Sequence, residues 1–196
     1  EKNDLANSPA RIKFNVFRKD GGLYTPTNRN VDYLISAAKI ESPFYTFSNE
    51  EKYQVELFKD HYILSGLLSS IKSTNKAVNV LAGIYAEENG YDNCLLLNEA
   101  KSVVEAINGN IFLVKGKTIK TPPLSDGCLN GILRKQLIDI IDKSNEMELD
   151  ESSISPFELQ KADEFFITNI IKGIIPITKY RKKNYAADTC GQLLGQ

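Results

Sequence analysis

Ser70-Ile71-Lys72-Ser73-Thr74-Asn75 is the stretch on which the fold turns. Ahead of it, Tyr53 to Leu68 (YQVELFKDHYILSGLL) reads as extended and apolar, and small polar residues then break the run. Behind it, Val78, Leu81, Ala82, Tyr85 and Ala86 recur at helical spacing, and Gly90 stops the run as a C′ residue would. Lys72 therefore reads as lying where an extended stretch meets a helix. Such a junction holds a side chain rigidly with its tip in a cleft, and a partly desolvated lysine there has an amine available for imine chemistry. The ordinary alternative is a solvated surface lysine, the usual place for this residue type.

Outward from this stretch, strands and helices alternate irregularly. Ala10 to Arg18 alternates Ile12, Phe14 and Val16 against polar neighbours, a strand pattern, and Gly21-Gly22 turns the chain. Val31 to Ile40 is a second strand candidate, ended by Glu41-Ser42-Pro43, and Tyr53 to Phe58 resumes extended structure. Past the helix, Cys94 to Leu97 reads as a short buried strand. Ser102 to Glu105, Asn110 to Val114 and Thr118 to Lys120 read as a meander that ends at Thr121-Pro122-Pro123. Gly131 to Ile141 predicts a helix whose face is Ile132, Leu133, Gln136, Leu137 and Ile140. Met147 to Leu149 predicts a strand, and Ser155-Pro156 a short helix start. Glu164 to Thr168 and Ile174 to Thr178 are the last strand candidates. Short strands mixed with two long helices predict an α/β or α+β fold.

Composition narrows the class. The 196 residues with 42% hydrophobic content suffice for one sizeable core. Net charge is −1 and no basic stripe appears, so nucleic acid is not an expected partner. No run approaches about 18 consecutive apolar residues, so no membrane span is predicted. Cys94, Cys128 and Cys190 have no metal-ligand spacing, so no metal is expected, and three unpaired cysteines fit a reducing, cytoplasmic setting. His61, the sole histidine, reads as packing or hydrogen-bonding within a strand.

Four stretches in order carry a resemblance. They are Ile71-Lys72-Ser73-Thr74-Asn75 with Asn79-Val80-Leu81-Ala82; Val103-Val104-Glu105-Ala106-Ile107-Asn108-Gly109-Asn110-Ile111-Phe112; Thr121-Pro122-Pro123-Leu124 with Asn130-Gly131-Ile132-Leu133-Arg134; and Ala162-Asp163-Glu164-Phe165-Phe166-Ile167-Thr168-Asn169. Together they resemble the class IV aminotransferases, the fold type IV pyridoxal-phosphate enzymes. This family includes branched-chain and D-amino-acid aminotransferases and aminodeoxychorismate lyase. The resemblance covers about Ala10 to Lys179. It implies the α/β pseudo-barrel of the family's larger domain over residues 21–196, with residues 1–20 ending a smaller N-terminal domain that is largely missing from the sequence. It also implies a homodimer with a small amino-acid-type substrate.

The same resemblance implies roles. Lys72 carries pyridoxal phosphate and moves the proton at the substrate's Cα. Glu105 holds the pyridine nitrogen protonated. The backbone amides of Ile132 and Leu133 bind the phosphate at a helix start, and Thr168 and Asn169 form the second phosphate-facing turn. Two departures stand out. Ile170 falls where branched-chain enzymes have a hydroxyl, and Lys76 falls where they have a tyrosine. The turn at Asn169 and Lys13 in Ala10-Arg11-Ile12-Lys13 look more like aminodeoxychorismate lyase, with Lys13 meeting a substrate carboxylate and Lys172 a second candidate. Lys13 reads equally well as an outward residue of an amphipathic strand. The expectation leans to the lyase, which releases pyruvate and gives 4-aminobenzoate for folate, with a transaminase as the alternative and a non-catalytic relative as the third reading.

Overall fold

The computed structural model describes residues 3–46 and 52–195. The chain divides into two compact units, 1–45 and 46–196. The first is built on a hairpin. Strands β1 (Ala10–Arg18) and β2 (Val31–Lys39) pair antiparallel from Ala10↔Lys39 to Arg18↔Val31. Residue 20, where the sequence reading ends its first segment, lies in the loop between these strands, because their pairing holds residues 10 to 39 together. Ile12, Phe14 and Val16 share one face of the ribbon, and Arg11, Lys13 and Asn15 the other, as strand alternation requires.

The second unit is a ten-stranded mixed sheet with helices on it. β3 (Gln54–Ile63), α1 (Ala77–Asn89) and β4 (Asn93–Asn98) form a parallel crossover, which is why a helix must lie between these two strands. Gly90 ends α1 with φ 70°, the left-handed conformation that glycine adopts without steric cost. Every residue of β4 is buried, as befits a strand covered on both faces. β5 (Val103–Ala106), β6 (Gly109–Lys115) and β7 (Thr118–Thr121) follow as the antiparallel meander. Next come α2 (Ile132–Lys143), β8 (Glu148–Glu151) and α3 (Pro156–Lys161). A reciprocal capping box of Ser155 and Glu158 starts α3. β9 (Glu164–Asn169), β10 (Gly173–Pro176), β11 (Lys179–Tyr180), β12 (Lys183–Asn184) and α4 (Asp188–Leu194) complete the chain. The main strand order is β10-β9-β6-β5-β4-β3-β11-β12.

Two expectations change. The extended run from Tyr53 stops at Ile63, and an irregular segment separates it from α1, so Lys72 lies in a connection and not at a direct strand–helix junction. The buried face of α2 is Arg134, Leu137 and Ile141, with Ile138 packed beside them, a spacing of three and four. Ile132, expected on that face, is 65% exposed. Arg134 takes its place because part of the guanidinium finds partners: its Nη2 donates to the Pro122 carbonyl and to Glu151 at the surface, each at 2.8 Å. His61 lies in β3 and is exposed, its ring 6.2 Å from that of Phe58.

The sheet has two unlike faces. Val55, Leu57, Leu95, Leu97, Ile111, Leu113, Phe165 and Ile167 form one apolar cluster that runs across β3, β4, β6 and β9 and meets Leu159 of α3. The opposite face carries two separate clusters. Phe58, Cys94, Leu96 and Val104 pack under Ala82 and Ala86 of α1; Phe112, Val114 and Phe166 pack under Leu137 and Ile141 of α2 and Cys190 of α4.

Candidate active site

The gap between those two clusters is polar. Cross-strand pairing sets Glu105 opposite Asn110, and Asn110 opposite Thr168. Directly paired residues point to the same side of a sheet, so these three form a row across β5, β6 and β9. All three are buried. A register shift puts Glu105 there: Leu96 pairs with Glu105 but Leu97 pairs with Val103, leaving Val104 as an extra residue. Such a bulge re-aims the side chain beside it.

Glu105 is held by two contacts of different kinds. Its Oε2 accepts the Leu129 N–H at 2.8 Å. Its Oε1 faces Lys76 Nζ at 3.6 Å, and among the described residues it accepts no hydrogen bond. The carboxylate therefore keeps one acceptor without a hydrogen bond in a buried position.

The loop before α2 is clamped from below. Asn110 Nδ2 donates to the Leu129 carbonyl at 2.7 Å, and a Cβ on Gly131 would lie 2.1 Å from Asn110 Oδ1, so no side chain fits at 131. Among the described residues no side chain caps α2. Its first N–H groups, among them those of Ile132 and Leu133, have no partner within the helix. They give this end an anion-seeking character.

Lys72 lies in a segment tied at two points. On one side of it, the Asn130 N–H donates to the Ser70 carbonyl at 3.2 Å. On the other, Lys76 reaches Glu105. Lys72 is thus strung between the start of α2 and the buried carboxylate. It is exposed, and among the described residues its ammonium has no partner.

The other sequence-predicted residues divide. Thr168 joins the polar row, and among the described residues its buried Oγ1 has no hydrogen-bond partner. Asn169 turns its side chain inward on its own loop, where Oδ1 accepts the N–H groups of Ile171 at 3.0 Å and Lys172 at 2.9 Å. Lys172 is exposed at that turn. Lys13 belongs to the other compact unit and is exposed on β1. The cysteines are all buried, and burial pushes the thiols of Cys94 and Cys128 up to about 11, which fits packing and not nucleophilic use. Among the described residues no cluster of side chains suits a metal ion.

Sequence reasoning missed Asn110 and the pairing of Lys76 with Glu105. Asn110 follows Gly109 at a hairpin turn, where an asparagine needs no special explanation. Lys76 stood out as a departure, but a contact across 29 positions leaves no local signal.

Fold and site define an α/β protein whose polar gap offers a carboxylate to a cationic group at one end and helix amides to an anion at the other, with a lysine between them. The sequence profile of one family, described as Amino-transferase class IV, matches residues 1–180. The chain belongs to that family. It is 38% identical over 108 residues to a Methanocaldococcus jannaschii protein whose assignment as a branched-chain-amino-acid aminotransferase is itself provisional, covering 55% of this chain and 37% of that one. It is 36% identical over 95 residues to aminodeoxychorismate lyase of Bacillus subtilis, covering 48% and 32%. The crystal structure of an aminotransferase from Brucella abortus bound to the cofactor PLP superposes with a TM-score of 0.82 at 18% identity, over 99% of this chain and 69% of that one. The chain thus spans less than half the length of these curated relatives.

The residues present fit pyridoxal phosphate. The ring nitrogen needs an acidic acceptor, and Glu105 has Oε1 available. The phosphate needs donors, and the uncapped start of α2 and the Thr168 hydroxyl are groups of the kind required.

Proposed function

We propose that this chain holds pyridoxal phosphate on Lys72 and serves an enzyme acting at the Cα-amino group of an amino-acid-type substrate. The observation that carries this reading is the double anchoring of the Lys72 segment, at Asn130 through Ser70 and at Glu105 through Lys76. When bound, the cofactor supplies an electron sink for charge developing at Cα. Glu105 holds the proton on the ring nitrogen. The amides of Ile132 and Leu133 bind the phosphate, aided by Thr168 and the Asn169 turn. Lys72 moves the Cα proton as general acid and base.

Between the two chemistries of the family we infer the lyase: elimination of pyruvate from 4-amino-4-deoxychorismate to give 4-aminobenzoate for folate synthesis. Lys13 and the Asn169-Ile170-Ile171 turn, which offers no hydroxyl at 170, support it. In this reading Lys13 or Lys172 meets a substrate carboxylate as a point charge. Assaying pyruvate release beside amino transfer to 2-oxoglutarate tests it. Pyruvate without transfer is the expected result; transfer without pyruvate makes the protein a branched-chain or D-amino-acid transaminase. A cytoplasmic homodimer completes the reading, supported by the reduced, buried cysteines and by Leu64, Leu67 and Leu68, which are 75–80% exposed beside the Lys72 segment.

A further inference from the structure

Lys76 is in an unfavourable place for a lysine. It is the N-cap of α1, with φ −125° and ψ 41°, and its side chain makes no capping hydrogen bond. A cation at a helix N-terminus opposes the helix dipole. What offsets this is Glu105, whose side chain is 5% exposed against 26% for that of Lys76, so the pair is shielded from solvent on the acidic side. The contact uses Oε1, the oxygen left without a hydrogen bond, while Oε2 is taken by Leu129. Cys128, from the loop before α2, also faces Glu105, and Arg134 of α2 faces Cys128 in turn. The thiol, pushed up to about 11 chiefly by burial, is neutral near pH 7, and Arg134 is engaged by Pro122 and Glu151. Among the described residues, Lys76 is therefore the cation paired with the oxygen that the ring nitrogen would approach.

We infer that Lys76 is a positioning residue that shares the Glu105 carboxylate with the cofactor's ring nitrogen and so weakens the hold of Glu105 on the ring proton. The inference rests on the reading that Glu105 faces that nitrogen. Two cations on one carboxylate repel each other, and each lowers what the carboxylate returns to the other. The electron sink of this site is thereby set lower than Glu105 alone would set it. In this role Lys76 acts through Glu105.

The test is magnetic resonance of the isotope-labelled ring nitrogen in the holoprotein, titrated with pH. Lys76→Met should move the midpoint of ring protonation up by about one pH unit, a tenfold change in proton affinity. Lys76→Arg, which keeps the charge, should stay near the parent midpoint, and Lys76→Gln repeats the charge loss with a polar side chain should the Met variant fail to fold. Glu105→Gln should move the midpoint down. A midpoint lowered by Glu105→Gln but unmoved by Lys76→Met and Lys76→Gln overturns the role of Lys76 and leaves Glu105 in place. A midpoint unmoved by Glu105→Gln overturns the reading of Glu105, and the inference falls with it.

Discussion

The two faces of the large sheet are built from the same strands and differ in what they leave unfinished. On the α3 side, one apolar cluster extends from β3 to β10. On the other side, apolar packing under α1 and under α2 is parted by Glu105, Asn110 and Thr168. Buried polar atoms without partners are costly; among the described residues this face leaves the Thr168 hydroxyl without a hydrogen bond and Glu105 Oε1 with the Lys76 contact alone, a cost that the proposed cofactor would offset. The first face holds the fold, and the second carries the proposed site.

The largest effect should come from damaging the finished face. Phe165 is fully buried, edge-on to Tyr185 at 4.7 Å. Phe165→Ala should cost about 3–5 kcal/mol of stability, read by chemical denaturation. A loss under about 1 kcal/mol would mean that this face is not the principal core.

On the other face, substitution should cost function and spare the fold. Glu105→Gln keeps shape and the Leu129 contact, so the denaturation midpoint should hold, while turnover drops by about 10²-fold as a preorganised charge is lost. Near-native turnover would remove Glu105 from the site.

Thr168→Val sharpens the contrast by its sign. Deleting a buried hydroxyl that has no partner should leave the cofactor-free protein as stable or firmer, by up to about 1 kcal/mol. The same change should weaken retention of pyridoxal phosphate. If the variant is less stable without cofactor and retains it equally well, Thr168 belongs to the packing.

Local sequence showed the elements but not their meeting. The Ala10–Arg18 and Val31–Lys39 strands, the Gly90 stop of α1 and the α3 start at Ser155-Pro156 were legible because alternation, glycine and proline act within a few residues. The stop of β3 at Ile63 was not, since Leu64, Leu67 and Leu68 look like a continued strand but lie exposed. The face of α2 was misjudged because a charged Arg134 is buried there on long-range partners. Glu105 and Lys72 were identified through the family resemblance; the ion pair of Lys76 with Glu105 and the row through Asn110 and Thr168 depend on strand register, which no local pattern encodes.

The account turns on Lys72. The holoprotein reduced with borohydride, digested and examined by mass spectrometry should carry the reduced cofactor on the peptide containing Lys72, and Lys72→Ala should lose both the label and turnover. A label on Lys76, or on any other lysine, would contradict it.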